Sequence, residues 1–113
     1  MMKKFKLVTF VPESHADSIR RALGDMGIGK MGKYTHGSFS VKGKGRFMAT
    51  NGTHPYSGEF GEINEVDEER IEVVCFADKI KEAVRVIKEI HPYEEVPVDI
   101  HPALSEEYIE REF

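Results

Sequence analysis

Apolar positions along this chain recur with two spacings, and the switches between them outline its elements. "KLVTFV" (6–11) is apolar with β-branched and aromatic residues and is closed by Pro12, which predicts a strand. Ser14 stands where a helix N-cap belongs, with Asp17 three positions on as in a capping box. Ile19, Ala22, Leu23 and Met26 then trace one apolar helical face, and Gly27 supplies the stop. After "GIGKMGK", the stretches "YTHGSFSV" (34–41), "KGKG" and "RFMA" predict strand, turn and strand, a hairpin. "GTHPYSGEFG" (52–61) reads as a loop. "IEVVCF" (71–76) predicts a strand, and Asp78 caps a helix whose Ile80, Ala83, Val84, Ile87 and Ile90 share a face. Pro92 cannot continue that helix. Val96, Val98 and Ile100 alternate with Pro97, Asp99 and His101, the pattern of a half-buried strand.

The two halves repeat each other. Ser14 and Asp78 stand 78 − 14 = 64 positions apart, and at that offset Ala22 meets Val86, Leu23 meets Ile87 and Met26 meets Ile90. Strand, helix, strand, taken twice, gives βαββαβ with an extra hairpin in the middle. The predicted class is α+β: a ferredoxin-like antiparallel sheet carrying two helices on one face. One domain spans 1–104, and "SEEYIEREF" (105–113) follows as a short helical tail with Tyr108, Ile109 and Phe113 at helical spacing. "LVTFV" and "VVCF" are nearly continuous apolar runs, which strands covered on both faces show. The helices cover one face only, so a second subunit is expected on the other, and the chain is expected to form a homo-oligomer.

Composition narrows the function classes. The 113 residues are 40% hydrophobic with seven Phe and four Tyr, enough for one packed core. Net charge is −4, with acids gathered in "GEINEVDEER" and "SEEYIEREF". A basic stripe interleaved with aromatics is missing, which argues against nucleic acid as a partner. Cys75 is the only cysteine, so neither an internal disulfide nor a thiolate cluster can form, and its place in "VVCF" suits a buried small hydrophobe. The apolar run after "MMKKFK" is too short for a signal core, and no stretch approaches a membrane span. A cytoplasmic protein with no membrane partner is expected.

Chemistry concentrates in "HPYEEVPVDIHP" (91–102). His91 falls at a helix C-terminus, where the carbonyls favour an imidazolium. Glu94 and Glu95 point to opposite sides if this stretch is already extended, which is no arrangement for paired acid–base work. A metal reading joins His91 and Glu94 or Glu95 with His36 or His101, since imidazole and carboxylate suit zinc, nickel or copper. The spacing of His91 and His101, however, is not that of a helical histidine pair. In "YTHGSFS", a strand would put Tyr34, His36 and Ser38 on one face, yet no acid is placed to orient the histidine and no nucleophile elbow surrounds the serine. "GTHPYSGEFG" exposes backbone amides but lacks the lysine that ends a phosphate loop.

Three stretches together, "LVTFVPESHADSIRRALGDMGIGKMGKYTHGSFSVKGKGRF", "GTHPYSGEFGE" and "HPYEEVPVDIHP", resemble the domain inserted into bacterial members of the NGG-interacting-factor-three (Nif-like) family. The resemblance runs from about Phe5 to Leu104. Such inserts look like CutA, a divalent-cation tolerance protein, and like PII signalling proteins, so it implies a CutA/PII-like fold and a trimer. It also implies a ligand cleft between subunits, beside the loop joining the second and third strands. The candidate ligand-binding residues are therefore His36, His54, Tyr56, His91 and Tyr93. The family's two-metal site belongs to flanking domains, and no residue here matches its motif.

No catalytic residues emerge, and a non-enzymatic binding or regulatory module for a small ligand or protein partner is expected. The alternative is a metal-tolerance protein or metal-dependent enzyme holding a divalent metal at a subunit boundary through His36, His91, Glu94 and Glu95.

Overall fold

The computed structural model describes residues 3–104 and Glu106, so the predicted tail helix otherwise lies outside the described residues. The chain runs β1 (Lys4–Pro12), α1 (Glu13–Asp25), β2 (Phe39–Met48), β3 (Ile63–Phe76), a 3-10 turn (Ala77–Lys79), α2 (Ile80–Ile90) and β4 (Val98–Ala103). The sheet order is β2-β3-β1-β4 with every neighbouring pair antiparallel. Each half therefore straddles a strand of the other: β3 lies between β1 and β2, and β1 between β3 and β4. This is the expected ferredoxin-like interleaving.

Both helices pack on one sheet face. Their core is Leu7 and Val11 from β1, Ile71, Val73 and Cys75 from β3, Ala16, Ile19 and Leu23 from α1, and Ala83 and Ile87 from α2. The 64-residue repeat is a repeat of these buried positions: Leu7 and Ile71, Val11 and Cys75, Ile19 and Ala83, Leu23 and Ile87. The repeat does not hold for the caps. α1 begins directly after Pro12 with no side-chain cap, because Ser14 Oγ bonds His15 Nδ1 and Asp17 pairs with Arg20. Asp78 likewise makes no capping bond and sits inside the 3-10 turn.

The predicted central hairpin is absent. "KGKG" lies inside a single ten-residue strand whose register with β3 runs unbroken from Phe39↔Glu72 to Met48↔Ile63. Neither Gly43 nor Gly45 has the positive φ that a tight turn demands, so the two glycines are extended, and alternation of lysines with glycines is compatible with a solvent-facing edge strand. The true hairpin is β2–β3, joined by residues 49–62. β3 also begins eight residues earlier than its apolar run, at Ile63, since the acids of "NEVDE" (64–68) fall on exposed or half-buried positions and the buried Glu69 is paired with Arg20.

β3 alternates cleanly. Glu69, Ile71, Val73 and Cys75 are buried, while Glu68, Arg70, Glu72 and Val74 are half-buried on the opposite, open face. Ion pairs Lys6–Glu72 and Arg70–Glu72 cross that open face beside the register partner of Glu72, Val8, which is 2% exposed. Val8 is thus covered by the chain's own side chains. Its burial is not evidence for a second subunit.

Two polar devices tie the helix layer to the sheet. Arg20 donates to Glu69 at 2.8 Å and to Ser40 at 3.0 Å, pinning α1 over β2 and β3. Thr9 Oγ1, buried in β1, donates to the Pro97 carbonyl at 2.8 Å and fixes the approach to β4. No helix among the described residues is long and apolar enough to cross a membrane.

Candidate functional site

Where β1 ends and α1 begins, the 49–62 loop folds back over the open sheet face towards the helix-exit corner at 91–97. Gly61 N–H returns to the Ala49 carbonyl, and the Thr53 hydroxyl donates to the Thr50 carbonyl, so the loop is closed at its base. His54 N–H then donates to Glu94 at 2.8 Å, fastening loop to corner. Between them lies a cavity of about 410 Å³. Its walls include Phe10, Phe47 and Val66 from the sheet, Tyr56 from the loop, and Tyr93 and Pro97 from the corner.

The corner is rigid for a reason visible in its bonds. α2 stops at His91, whose backbone turns extended (φ −63°, ψ 132°) ahead of Pro92. The His91 ring is 5% exposed. Its Nε2 lies 2.7 Å from the Phe10 carbonyl, and Nδ1 accepts the Tyr93 N–H at 3.2 Å. These partners select the neutral Nε2–H tautomer, and burial holds its pKa below the ordinary histidine value. The predicted imidazolium at the helix end is therefore corrected: the ring bridges corner and β1 and leaves its own helix carbonyls alone.

Tyr93 packs on His91 with ring centroids 4.6 Å apart and donates its hydroxyl to Glu68 at 2.6 Å. Burial, reinforced by the Glu68 carboxylate, pushes the phenol pKa far up, so it stays protonated and a donor. Tyr56 stands 6.1 Å from Tyr93 and 6.0 Å from His15, completing a run of rings from α1 to the corner.

Of the expected ligand residues, Tyr56 and Tyr93 line the cavity, while His54 and His91 brace it from behind. His36 lies elsewhere. Residues 34–38 form no strand: His36 has φ 60°, a left-handed conformation foreign to strands, and its Nε2 pairs with Asp25 at 2.9 Å beside Gly24. It locks the glycine-rich loop onto the end of α1. Glu94 and Glu95 both border the cavity, in the stretch ahead of β4.

The four-residue metal set is likewise not brought together within one protomer. Among the described residues no three His, Cys, Asp or Glu side chains converge to hold an ion, and both nitrogens of His91 are already bonded. Cys75 is buried, with its thiol pKa raised by burial, as its apolar neighbours predicted. Sequence reasoning missed Phe10, Phe47 and Glu68. Glu68 sits in an acidic run that reads as a solvated face, and only the β1–β3 and β2–β3 registers reveal where it stands.

A second depression of about 570 Å³ opens at the other end of the sheet, lined by Lys4, Lys6, Lys30, Tyr34, Phe39 and Phe76. It is lined by Met31 and Tyr34, which among the described residues are the most exposed large apolar side chains, at 75% and 80%.

No protein-family model matches the chain. Among curated proteins it is similar to the GTP cyclohydrolase 1 type 2 homolog of Halalkalibacterium halodurans, 38% identical over 102 residues, which are 90% of this chain and 27% of that protein. The Bacillus subtilis protein of the same name is 40% identical over 97 residues, 86% of this chain and 26% of that one. The chain spans about a quarter of the length of these curated relatives. Among solved structures, a Bacillus cereus protein related to NIF3 superposes with a TM-score of 0.81 at 36% identity, covering 92% of this chain and 26% of that one. The divalent ion tolerance protein CutA1 from Ehrlichia chaffeensis gives 0.69 at 17% identity over 97% of this chain and 92% of that one. GlnK of B. subtilis, solved with ATP, gives 0.63 at 12% over 89% and 82%. The last two likenesses concern the fold alone.

Proposed function

We propose that this chain, a Nif-like domain of CutA/PII-like fold, is a binding module that takes a small organic ligand in the cleft between the 49–62 loop and the 91–97 corner, and that it works as a homo-oligomer. One observation carries the reading. Two segments far apart in sequence are fastened to each other by His54 and Glu94, yet leave between their aromatic rings a cavity of about 410 Å³. A space of that size, largely apolar with a few converging polar groups, is the usual form of a small-molecule site. The cyclohydrolase name belongs to whole relatives, about three-quarters of whose length lies outside the match.

Self-association is supported by surface chemistry. One end of the molecule exposes Phe39 and Phe76 among Lys4, Lys6 and Lys30, and the other exposes Ile63 and Phe60 among Glu59, Glu62 and Glu65. Two unlike apolar patches of opposite charge favour a head-to-tail contact, the kind from which closed rings are built. Three copies is the number the CutA/PII-like resemblance implies.

The test is a thermal-shift panel of nucleotides, amino acids, amines and divalent cations. A ligand present at about 100 times its Kd stabilises by ~2.7 kcal/mol and raises Tm by roughly 10 °C. The expected hit is an organic compound whose shift is lost in Tyr56→Ala. Shifts from divalent cations alone, unchanged in Tyr56→Ala, would overturn the reading.

A further inference from the structure

The floor of the cleft holds one carboxylate in unusual company. Glu68 stands on the open sheet face with Val66 on its own strand and Gly43 opposite it in register. Phe10 and Phe47 lie on the same face and, with Tyr56 and Tyr93, make the surrounding walls aromatic. Tyr93 satisfies Oε2 at 2.6 Å. Oε1 accepts no hydrogen bond from any described residue, and no lysine or arginine among them lies within ion-pair distance of it.

Gly45 of the edge strand lies close beside this oxygen. A Cβ at position 45 would sit 1.9 Å from Glu68 Oε1, so a side chain there would make the carboxylate shift from its present place. The nearest cation of the lining, Arg46, is in register with Glu65 on the opposite face and pairs with it at 3.6 Å. Glu94 and Glu95 are the other charged groups at the rim. An anionic ligand would meet three carboxylates and a single, already committed guanidinium. A cation would meet the open oxygen in a cavity lined by four aromatic rings.

We infer that the cleft takes a small organic ammonium, which donates to Glu68 Oε1 while its carbon skeleton lies among Phe10, Phe47, Tyr56 and Tyr93. This deepens, and rests on, the reading of the cleft as a ligand site. A cavity of about 410 Å³ has room for an aromatic ring system with a short aminoalkyl arm. Tyr93, a protonated phenol bonded to the other carboxylate oxygen, orients the charge without competing for the ligand.

Three probes with a common indole skeleton separate charge from shape: tryptamine, neutral 3-ethylindole and anionic indole-3-propionate, titrated by NMR against aromatic signals of the cleft. Tryptamine is expected to bind at least about tenfold more tightly than 3-ethylindole, the worth of one charge-assisted hydrogen bond. Glu68→Gln is expected to bring tryptamine down to the level of 3-ethylindole and leave the latter unchanged. Gly45→Ala, which crowds the same oxygen without altering charge, should weaken tryptamine as well and covers the case in which Glu68→Gln fails to fold. Binding of indole-3-propionate as tight as tryptamine, or tryptamine binding indifferent to both substitutions, overturns the cation and leaves the cleft standing. No binding by any probe at millimolar concentration overturns both. A change in sedimentation of Glu68→Gln without probe binding assigns the carboxylate to a contact between copies, and also overturns the inference.

Discussion

Single side chains here do more positioning than chemistry. His91 is the clearest case, because both of its nitrogens have partners and a second proton would have to sit on Nδ1, facing the Tyr93 N–H. Its pKa is lowered on folding, so as pH falls the unfolded chain takes up the proton first. The contribution of His91 is therefore complete above the unfolded value of about 6.5 and is lost as pH drops from there towards the folded pKa. Urea midpoints should fall between pH 7.5 and 5.5 in the wild type, and the slope should flatten in His91→Gln. An identical slope in both proteins would exclude this residue as its source. Arg20 gives a second prediction. Its removal strands Glu69, which is 8% exposed, and Arg20→Met should cost roughly 2–4 kcal/mol in chemical denaturation. The double change Arg20→Met with Glu69→Leu should recover much of that loss, since it leaves no buried charge without a partner.

Among the elements, the glycines separate two kinds of backbone. Gly29 has φ +82°, and a Cβ there would meet the Gly37 carbonyl oxygen at 2.2 Å, a clash with backbone that cannot swing aside. Gly29→Ala should destabilise by about 2 kcal/mol or more. Gly43 is extended within β2, and a Cβ there would meet nothing within 4 Å. Gly43→Thr should be neutral or stabilising by up to ~1 kcal/mol, because a β-branched residue suits an extended edge. Were "KGKG" a turn, the same change would be clearly destabilising, so its sign in a melting experiment decides between strand and turn. The α1–β2 connection is held similarly, by His36 on Asp25 and by Gly37 N–H on the Gly29 carbonyl at 2.9 Å.

For the assembled protein, the two ends of the β2–β3 ribbon present unlike surfaces. Principal extents of 52 × 30 × 23 Å show how far the ribbon elongates the molecule. Sedimentation at micromolar concentration is expected to give an oligomer, and Phe39→Asp or Ile63→Asp alone should reduce it to monomers of unchanged circular dichroism. Each substitution changes one end only, so a head-to-tail contact predicts that either suffices. A monomeric wild type would dispose of the self-association proposal.

The class of fold could be read from "LVTFV", the two helical faces and the 64-residue repeat, because burial in strands and helices is periodic and periodicity is a local property. The corner at His91–Pro92 was legible for the same reason: proline ends a helix whatever surrounds it. The middle of the chain was not. Lysine and glycine in "KGKG" suit a turn and an exposed edge equally, and pairing with β3 settled the matter. Caps failed because Ser14 and Asp17 found other partners once folded. The site divided along the same line. Tyr56 and Tyr93 stood out in proline- and glycine-marked segments, whereas Phe10, Phe47 and Glu68 belong to a cleft that exists only through strand register and the His54–Glu94 closure. A sequence encodes local preference directly; convergence of residues some 40 to 80 positions apart is set by which strands become neighbours, and that was decided on folding.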